Sequence, residues 1–345
     1  MQIDRNLEFK FVDLFAGIGG FHLGMTKAGG QAVYSNEWDP YAADTFENWY
    51  RGVQLDRRDI RKVDIDMEIP RHDVLCAGFP CQPFSLAGVS KKNSLGRKHG
   101  FLDVAQGNLF FTICSIIKSR KPKIVVLENV KNLISHDSGK TWAIINSSLE
   151  ILGYDVKFEI IDAKSWIPQH RERIYIVAFK HSAFTKSEID GFKFPSKSRG
   201  APSLSTILES KPDRKYMLSD NLWMYLQKYA LKHNAAGNGF GFSIANPTGQ
   251  SRTLSARYYK DGSEILIRQR GWRNPRRLTP REAARLMGFD NSWSSVTNLR
   301  GGFPQIVSDT QAYRQFGNSV CPFITRLIGV EIARILELRK TRRLQ

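Results

Sequence analysis

Short apolar runs rich in β-branched residues alternate with helix-like stretches through the first half of the chain. No other feature of the sequence limits the fold as tightly. Residues 9–15 read as a strand and 19–28 as a helix, and 32–36 with 40–50 repeat the pair. Further strands are expected at 73–77, 123–128 (Ile124, Val125, Val126, Leu127) and 173–179 (Ile174, Tyr175, Ile176, Val177, Ala178), with a helix at 108–118. Strands this uniformly apolar are buried on both faces, and parallel neighbours need helical crossovers. The expected class is therefore α/β, a doubly wound and mostly parallel sheet over residues 1–180. Beyond it Pro195, Gly200, Pro202 and Pro212 punctuate a loop-rich stretch, and Gly237-Asn238-Gly239-Phe240-Gly241-Phe242 is incompatible with a regular helix. Residues 181–285 thus read as a smaller, irregular second domain. Helical periodicity returns at 280–287, with Thr279 as cap and Pro280 at the first position. The last 25 residues read as one amphipathic helix, so 286–345 is expected to return to the first domain.

Charge narrows the partners. Lys+Arg number 51 against 33 Asp+Glu, a net +18, while 41% hydrophobic and 11% aromatic residues exclude a chain disordered along its length. Such a surplus calls for an anionic partner, most commonly a polyphosphate backbone. Seven arginines and one acid, Glu282, lie between Arg268 and Arg285. They are expected to track a backbone, with Arg277 and Arg281 alternatively bracing the domain junction. The tail from Arg339 to Arg343 is expected to be solvated. No apolar run reaches the roughly 18 residues of a membrane span, and the first residues lack the plan of a signal peptide. A cytoplasmic location is expected. Cys76, Cys81, Cys114 and Cys321 form no C-x-x-C pair, so neither a disulfide framework nor a metal site is expected.

Chemistry-bearing residues gather at the ends of the expected strands. Asp13-Leu14-Phe15-Ala16-Gly17-Ile18-Gly19-Gly20 closes the first strand and opens the first helix, the form of a nucleotide-binding turn. Glu37 ends the second strand, 20 residues past Gly17, where a carboxylate can accept from both ribose hydroxyls. Asp59 is positioned to accept from an adenine amino group. Adenosine is common to NAD, FAD and S-adenosylmethionine, so these residues alone leave the cofactor open. Gly78-Phe79-Pro80-Cys81-Gln82-Pro83-Phe84-Ser85 puts Cys81 on a Pro-flanked loop at the carboxyl edge of the sheet. An ordinary thiol is only a few per cent thiolate at pH 7 and needs activation there. Glu128-Asn129-Val130 ends a further strand, and Gln169-His170-Arg171-Glu172-Arg173 brings two cations toward the same edge. Each block also has a plainer structural reading, as a tight turn, a strand-end carboxylate or a salt-bridge cluster.

Together, and in this order, the blocks resemble the cytosine-C5 DNA methyltransferase family. Arg277-Leu278-Thr279-Pro280-Arg281-Glu282 and Gln315-Phe316-Gly317-Asn318-Ser319-Val320 complete the set. The middle region, with Gly237 to Phe242, Thr253-Leu254-Ser255-Ala256-Arg257-Tyr258-Tyr259 and Ser308-Asp309-Thr310-Gln311-Ala312-Tyr313, is similar to the Dcm-type bacterial enzymes in particular. The resemblance implies a Rossmann-like methyltransferase domain at 1–180, a target-recognition domain with its hinge at 181–285, and S-adenosylmethionine as cofactor, leaving as S-adenosylhomocysteine. It implies that Phe15, Gly17, Gly19, Glu37, Trp38, Asp59, Ile60, Pro80, Leu109, Asn318 and Ser319 line the cofactor site. A cytosine is flipped out of duplex DNA at a cost of about a few kcal/mol, and Cys81 attacks its C6. By the same resemblance Glu128 is expected to contact N3 and the exocyclic amine, Arg173 to bind O2, and Arg171 to help position Glu128. The base that removes the C5 proton stays open between a water and a side chain.

Lys91, Lys92 and Arg97, among Gly88, Gly96 and Gly100, suggest a basic loop closing over phosphates near Cys81 and Ser85. Gln250, Arg252, Thr253 and Arg257 are the candidates for DNA contact in the middle region, where Arg or Gln reads purine edges in the major groove. The implied partner is double-stranded DNA, the implied state a monomer at the bacterial nucleoid, and the implied counterpart a cognate restriction endonuclease. The target leans toward the inner cytosine of a short palindrome beginning CC and ending GG. Competing readings are a DNA-binding regulator without turnover, an RNA cytosine methyltransferase on the same fold, and a nicotinamide dehydrogenase. Intact Cys81 and Glu128 argue against the first, the sizeable middle region against the second, and the Pro-Cys-Gln loop against the third.

Overall fold

The structure, a computed structural model, describes residues 9–50, 52–79, 109–196, 200–238, 241–289 and 305–344. A seven-stranded sheet forms its centre, in the order β3-β2-β1-β4-β5-β7-β6. The strands are β1 (Phe9–Leu14), β2 (Gly30–Asn36), β3 (Leu55–Asp56), β4 (Val74–Gly78), β5 (Ile124–Val130), β6 (Tyr154–Asp162) and β7 (Glu172–Lys180). The first five pair in parallel. β7 runs antiparallel between β5 and β6. A short return from β6 into the gap beside β5 produces that reversal, so β7 begins, rather than ends, at the carboxyl edge.

Alternate residues of each strand supply two cores. Phe11, Cys76, Val126 and Val177 face one side, packed on Phe21 and Met25 of α1 (Gly20–Lys27) and on Ile324, Ile328 and Ile332 of the C-terminal helix (Pro322–Leu344). Val12, Leu75, Val125 and Ile176 face the other side, against Phe110, Ile113 and Ile117 of the helix Leu109–Arg120 and Ile145 and Leu149 of the helix Lys140–Ile151. Helices on both faces make the sheet doubly wound, as the alternation predicted. Numbered in chain order, α2 is Pro40–Trp49, α3 Ile65–Glu68, α4 Leu109–Arg120, α5 Lys140–Ile151 and α6 Lys186–Asp190. The remaining helices are α7 (Asp220–Ala235), α8 (Pro280–Leu286), α9 (Asp309–Asn318) and α10 (Pro322–Leu344).

The middle region departs from expectation in two ways. It holds a 16-residue helix, α7, whose only fully buried side chain is Leu226, so no wide apolar stripe marks it in the sequence. Nor is its packing self-contained. Leu204, Leu254, Tyr258, Ile265 and Leu278 share one core with Leu23, Phe46 and Trp49 of α1 and α2 and with Tyr313 and Phe316 of α9. At the C-terminal tail the expectation of a solvated run fails for its first residue. Arg339 is buried, donating from Nε to the Ala183 carbonyl at 2.7 Å and lying over the Phe184 ring. No helix of the described residues is long and apolar enough to cross a membrane.

Candidate active site at the carboxyl edge of the sheet

Parallel pairing brings the ends of β1, β2, β4 and β5 to one edge, because register matches Leu14 with Asn36, Leu14 with Ala77, and Gly78 with Glu128. The strand order reverses between β1 and β4, the crevice where open α/β sheets bind ligands. Past Leu14 the chain turns through positive φ at Phe15 (56°), Gly17 (55°) and Gly19 (84°). A Cβ on Gly19 would lie 2.4 Å from the Tyr50 ring, so only glycine fits; one on Gly17 would meet nothing within 4 Å, because that face opens on free space. Gly19 offers α1 no side-chain cap, and the buried Asp13 takes the His22 N–H at 3.0 Å instead. Burial raises the Asp13 carboxyl well above the usual carboxylate range.

Glu37 fastens this turn. Its carboxylate accepts from the Gly17 N–H at 2.8 Å and the Asp39 N–H at 2.7 Å, while burial raises its pKa against those bonds. Beside it Trp38 is 65% exposed, a large ring with one face to solvent. The Asn36 amide holds the carbonyls of Asp56 and Arg58, which brings the end of β3 alongside. Asp59 then caps the buried Ile60 and is engaged by the Arg61 guanidinium, which holds its carboxyl below the ordinary value.

Across β4, Glu128 is nearly buried and pairs with Arg173 Nε at 3.3 Å. Desolvation raises its pKa, opposed first by Arg173 and then by Arg171. Arg173 reaches this position because β7 starts opposite the end of β5, with Val130 in register with Arg173. Asn129, whose motif was legible but whose role was not, donates its amide to the Phe79 carbonyl at 2.9 Å. It thereby fixes the last described residue before 80–108. Pro80, Cys81, Ser85, Lys91, Lys92 and Arg97 lie outside the described residues.

Arg171 has partners that the sequence did not announce. Its buried guanidinium makes no hydrogen bond to Glu128; it donates to the carbonyls of Leu254 (3.1 Å), Gly317 (3.0 Å) and Ser319 (2.8 Å). Desolvation pushes its pKa down to about 10, with the Arg173 charge adding to the fall. Arg171 therefore clamps the α9–α10 junction and the middle region to the start of β7. That clamp brings Ser319, and Asn318 before it, to the sheet, with Asn318 exposed and Ser319 buried. Buried Gln169 extends it, accepting from the Leu254 N–H at 2.7 Å and donating to the Leu286 carbonyl at 3.3 Å. Leu109, half-buried, opens α4.

The candidates for DNA contact divide. Gln250 donates to the Lys164 carbonyl at 2.6 Å and Thr253 to the His170 carbonyl at 2.6 Å, bonds that dock their segment to the β6–β7 connection. Arg252 and Arg257 are exposed. In the arginine-rich run the buried brace is Arg276, beside Arg277, which donates to the Tyr259 carbonyl at 3.3 Å, and Arg281, 4.0 Å from Glu209. The Arg276 guanidinium grips Glu282 through two bonds of 2.7 and 2.8 Å with both side chains fully buried. Cys76, Cys114 and Cys321 are buried and free, their thiols pushed up by desolvation, that of Cys321 to about 11. Among the described residues no cluster of His, Cys, Asp and Glu could hold a metal.

Comparison with known proteins agrees with this geometry. The family model for C-5 cytosine-specific DNA methylase matches residues 9–334. The chain is 45% identical to the DNA-cytosine methyltransferase of Escherichia coli (strain K12), covering 96% of this chain and 80% of that protein. It is 45% identical to the Type II methyltransferase M.NlaX of Neisseria lactamica, with 94% and 96% covered. Against M.HhaI of Haemophilus parahaemolyticus the identity is 34%, with 96% of each chain covered. Among solved structures, the S. pombe Dnmt2 methyltransferase superposes with a TM-score of 0.67 over 96% of this chain and 99% of its own, at 19% identity, a likeness of fold.

Proposed function

The chain belongs to the C-5 cytosine-specific DNA methylase family, and on that premise we propose that its sheet edge methylates the inner cytosine of a short palindrome beginning CC and ending GG. It is a DNA (cytosine-5-)-methyltransferase that uses S-adenosylmethionine. The residues present fit that cofactor: Gly17 leaves open space before the turn, the Glu37 carboxylate has lone pairs for ribose hydroxyls, and exposed Trp38 offers a ring to stack on adenine. When bound, S-adenosylmethionine supplies an electrophilic methyl group on a sulfonium. Phe15, Gly19, Asp59, Ile60, Pro80, Leu109, Asn318 and Ser319 complete the site in this reading.

The observation that carries the reading is Glu128, register-matched to Gly78 and held by Arg173, with burial raising its carboxyl above the ordinary value. A neutral carboxyl can donate to N3 of a flipped cytosine as Cys81 bonds to C6, so that the electron pair pushed into the ring meets a proton. Arg173 balances the carboxylate left behind and offers donors to O2. Arg171 holds the C-terminal junction in place around them. Once C5 carries the methyl group, a base takes its proton, and the electrons of that C–H bond re-form C5=C6 and expel the Cys81 sulfur, restoring the aromatic ring. Arg252, Arg257 and Gln250 are the base-reading candidates, with Thr253 beside them and Ser85, Lys91, Lys92 and Arg97 at the phosphates. The same reading makes residues 1–180 the catalytic unit, and the enzyme a monomer at the nucleoid with a cognate restriction endonuclease as counterpart.

The test is methylation of plasmid DNA with labelled S-adenosylmethionine followed by bisulfite sequencing. Label on cytosine within one CC…GG motif is expected. Label in an unrelated motif would overturn the target, and DNA binding without label the catalytic reading.

A further inference from the structure

From residue 221 to 260 the chain contains no aspartate or glutamate, but it holds Lys228, Lys232, Arg252, Arg257 and Lys260. Past its first residue, Asp220, α7 forms the first part of this acid-free stretch. One face of the helix is seated: Leu222, Trp223 and Leu226 pack on Leu218, Phe242, Ile244 and Leu266, with Trp223 and Phe242 edge to face at 4.7 Å. Its N-terminus is pinned by the Ser219 cap, by Asn274 bonded to Leu218 and Asp220, and by an Arg273–Asp220 ion pair. At 100° per residue the opposite face carries Met224, Tyr225, Lys228, Leu231 and Lys232, all exposed, with Met224 at 48%, Tyr225 at 57% and Leu231 at 70%. Neither lysine has an ion-pair partner among the described residues. A cationic face with a phenol, on a helix whose one acid, Asp220 in its first turn, is ion-paired with Arg273, is complementary to a phosphate backbone.

We propose that this outer face of α7 is a second DNA contact, gripping the phosphates of the duplex that flanks the target site. The proposal rests on the duplex-DNA reading above and assigns the helix to it. Lys228 and Lys232 lie about 6 Å apart along the axis, four residues at 1.5 Å each. That is close to two nucleotide steps of about 3.4 Å per strand, so both ammonium groups reach one strand. The Tyr225 hydroxyl donates to a phosphate oxygen, and Met224 and Leu231 lie along the sugars. The helix carries no base readout; it lengthens the footprint and adds affinity independent of sequence.

The test is fluorescence anisotropy of the full chain with two labelled duplexes centred on the methylated site, one of about three helical turns and one of about one turn. In Lys228→Gln/Lys232→Gln the log-log salt slope for the long duplex is expected to be shallower by about 1.8, and affinity near 0.15 M salt lower by roughly tenfold. Affinity for the short duplex and kcat at saturating DNA are expected to stay unchanged. Lys228→Glu, which adds repulsion without touching the packed face, is expected to weaken long-duplex binding as well. Equal slopes and affinities for wild type and both variants would overturn the assignment of α7 while leaving the methyltransferase reading intact. A wild type that binds neither duplex would instead remove the DNA reading on which it rests.

Discussion

Glu128 and His22 show what burial does to single titratable groups. Glu128 sits beside Arg173, yet desolvation outweighs the cation and its pKa is raised. If its proton is what N3 receives, kcat falls as pH climbs through that raised value, while Glu128→Gln lowers kcat by about 10²–10⁴ and flattens the alkaline limb. Single-turnover rates across pH, with DNA affinity measured in parallel, check both. An unaltered kcat in the variant would remove Glu128 from the chemistry. His22 shifts the other way: wedged among Phe11, Phe46 and Tyr50, it is lowered by desolvation to about 4. A histidine depressed in the fold gives stability that is complete above its ordinary value near 6.5. That stability is lost as pH falls toward 4, up to roughly 3 kcal/mol. Urea midpoints between about pH 7 and pH 4 should show this loss in wild type and a smaller one in His22→Phe.

Among the elements, close approaches fix the architecture. A Cβ on Gly24 would fall 1.9 Å from Thr325 Oγ1 and 2.6 Å from the Arg326 nitrogen, so α1 and α10 touch backbone to backbone there. Gly24→Ala is expected to cost about 1–3 kcal/mol in urea unfolding by forcing the helices apart. A full-stability variant would mean that α10 is loosely held. At α8, Thr279 and Glu282 form a reciprocal capping box, and Glu282 also accepts the Glu209 N–H while gripped by Arg276. Arg276→Met leaves that carboxylate buried without its cation, and a loss of about 3–5 kcal/mol is expected in denaturant titration. The cap at Thr279 was legible because Thr-Pro is a local signal, and the structure adds the Glu282 half of the box. Strand β6 was missed although Val156, Phe158 and Ile160 alternate with Lys157 and Glu159; it is an edge strand, half-exposed, with no continuous apolar run. Helix α7 was missed for the matching reason, a face too narrow to mark the sequence.

Over the whole molecule, a net charge of +18 must act through the substrate. DNA affinity is expected to fall linearly with salt on a log-log plot, with a slope of about −0.9 for each phosphate neutralised. Filter binding over a salt series measures it, and a flat response would detach the charge from DNA. The sequence by itself determined the parallel part of the sheet, the turn at Gly17, and the gathering of Glu37 and Glu128 at one edge. Chain direction explains why: residues that end successive parallel strands share an edge whatever their distance apart in sequence. Tertiary structure alone decided which arginine does what. Arg171 and Arg173 are two residues apart in one basic block. Arg173 meets Glu128 across the antiparallel β5–β7 pair, whereas Arg171 reaches carbonyls at 254, 317 and 319. Spacing cannot distinguish them, because a guanidinium's role is set by the acceptors that folding carries to it, here 83 to 148 positions away along the chain.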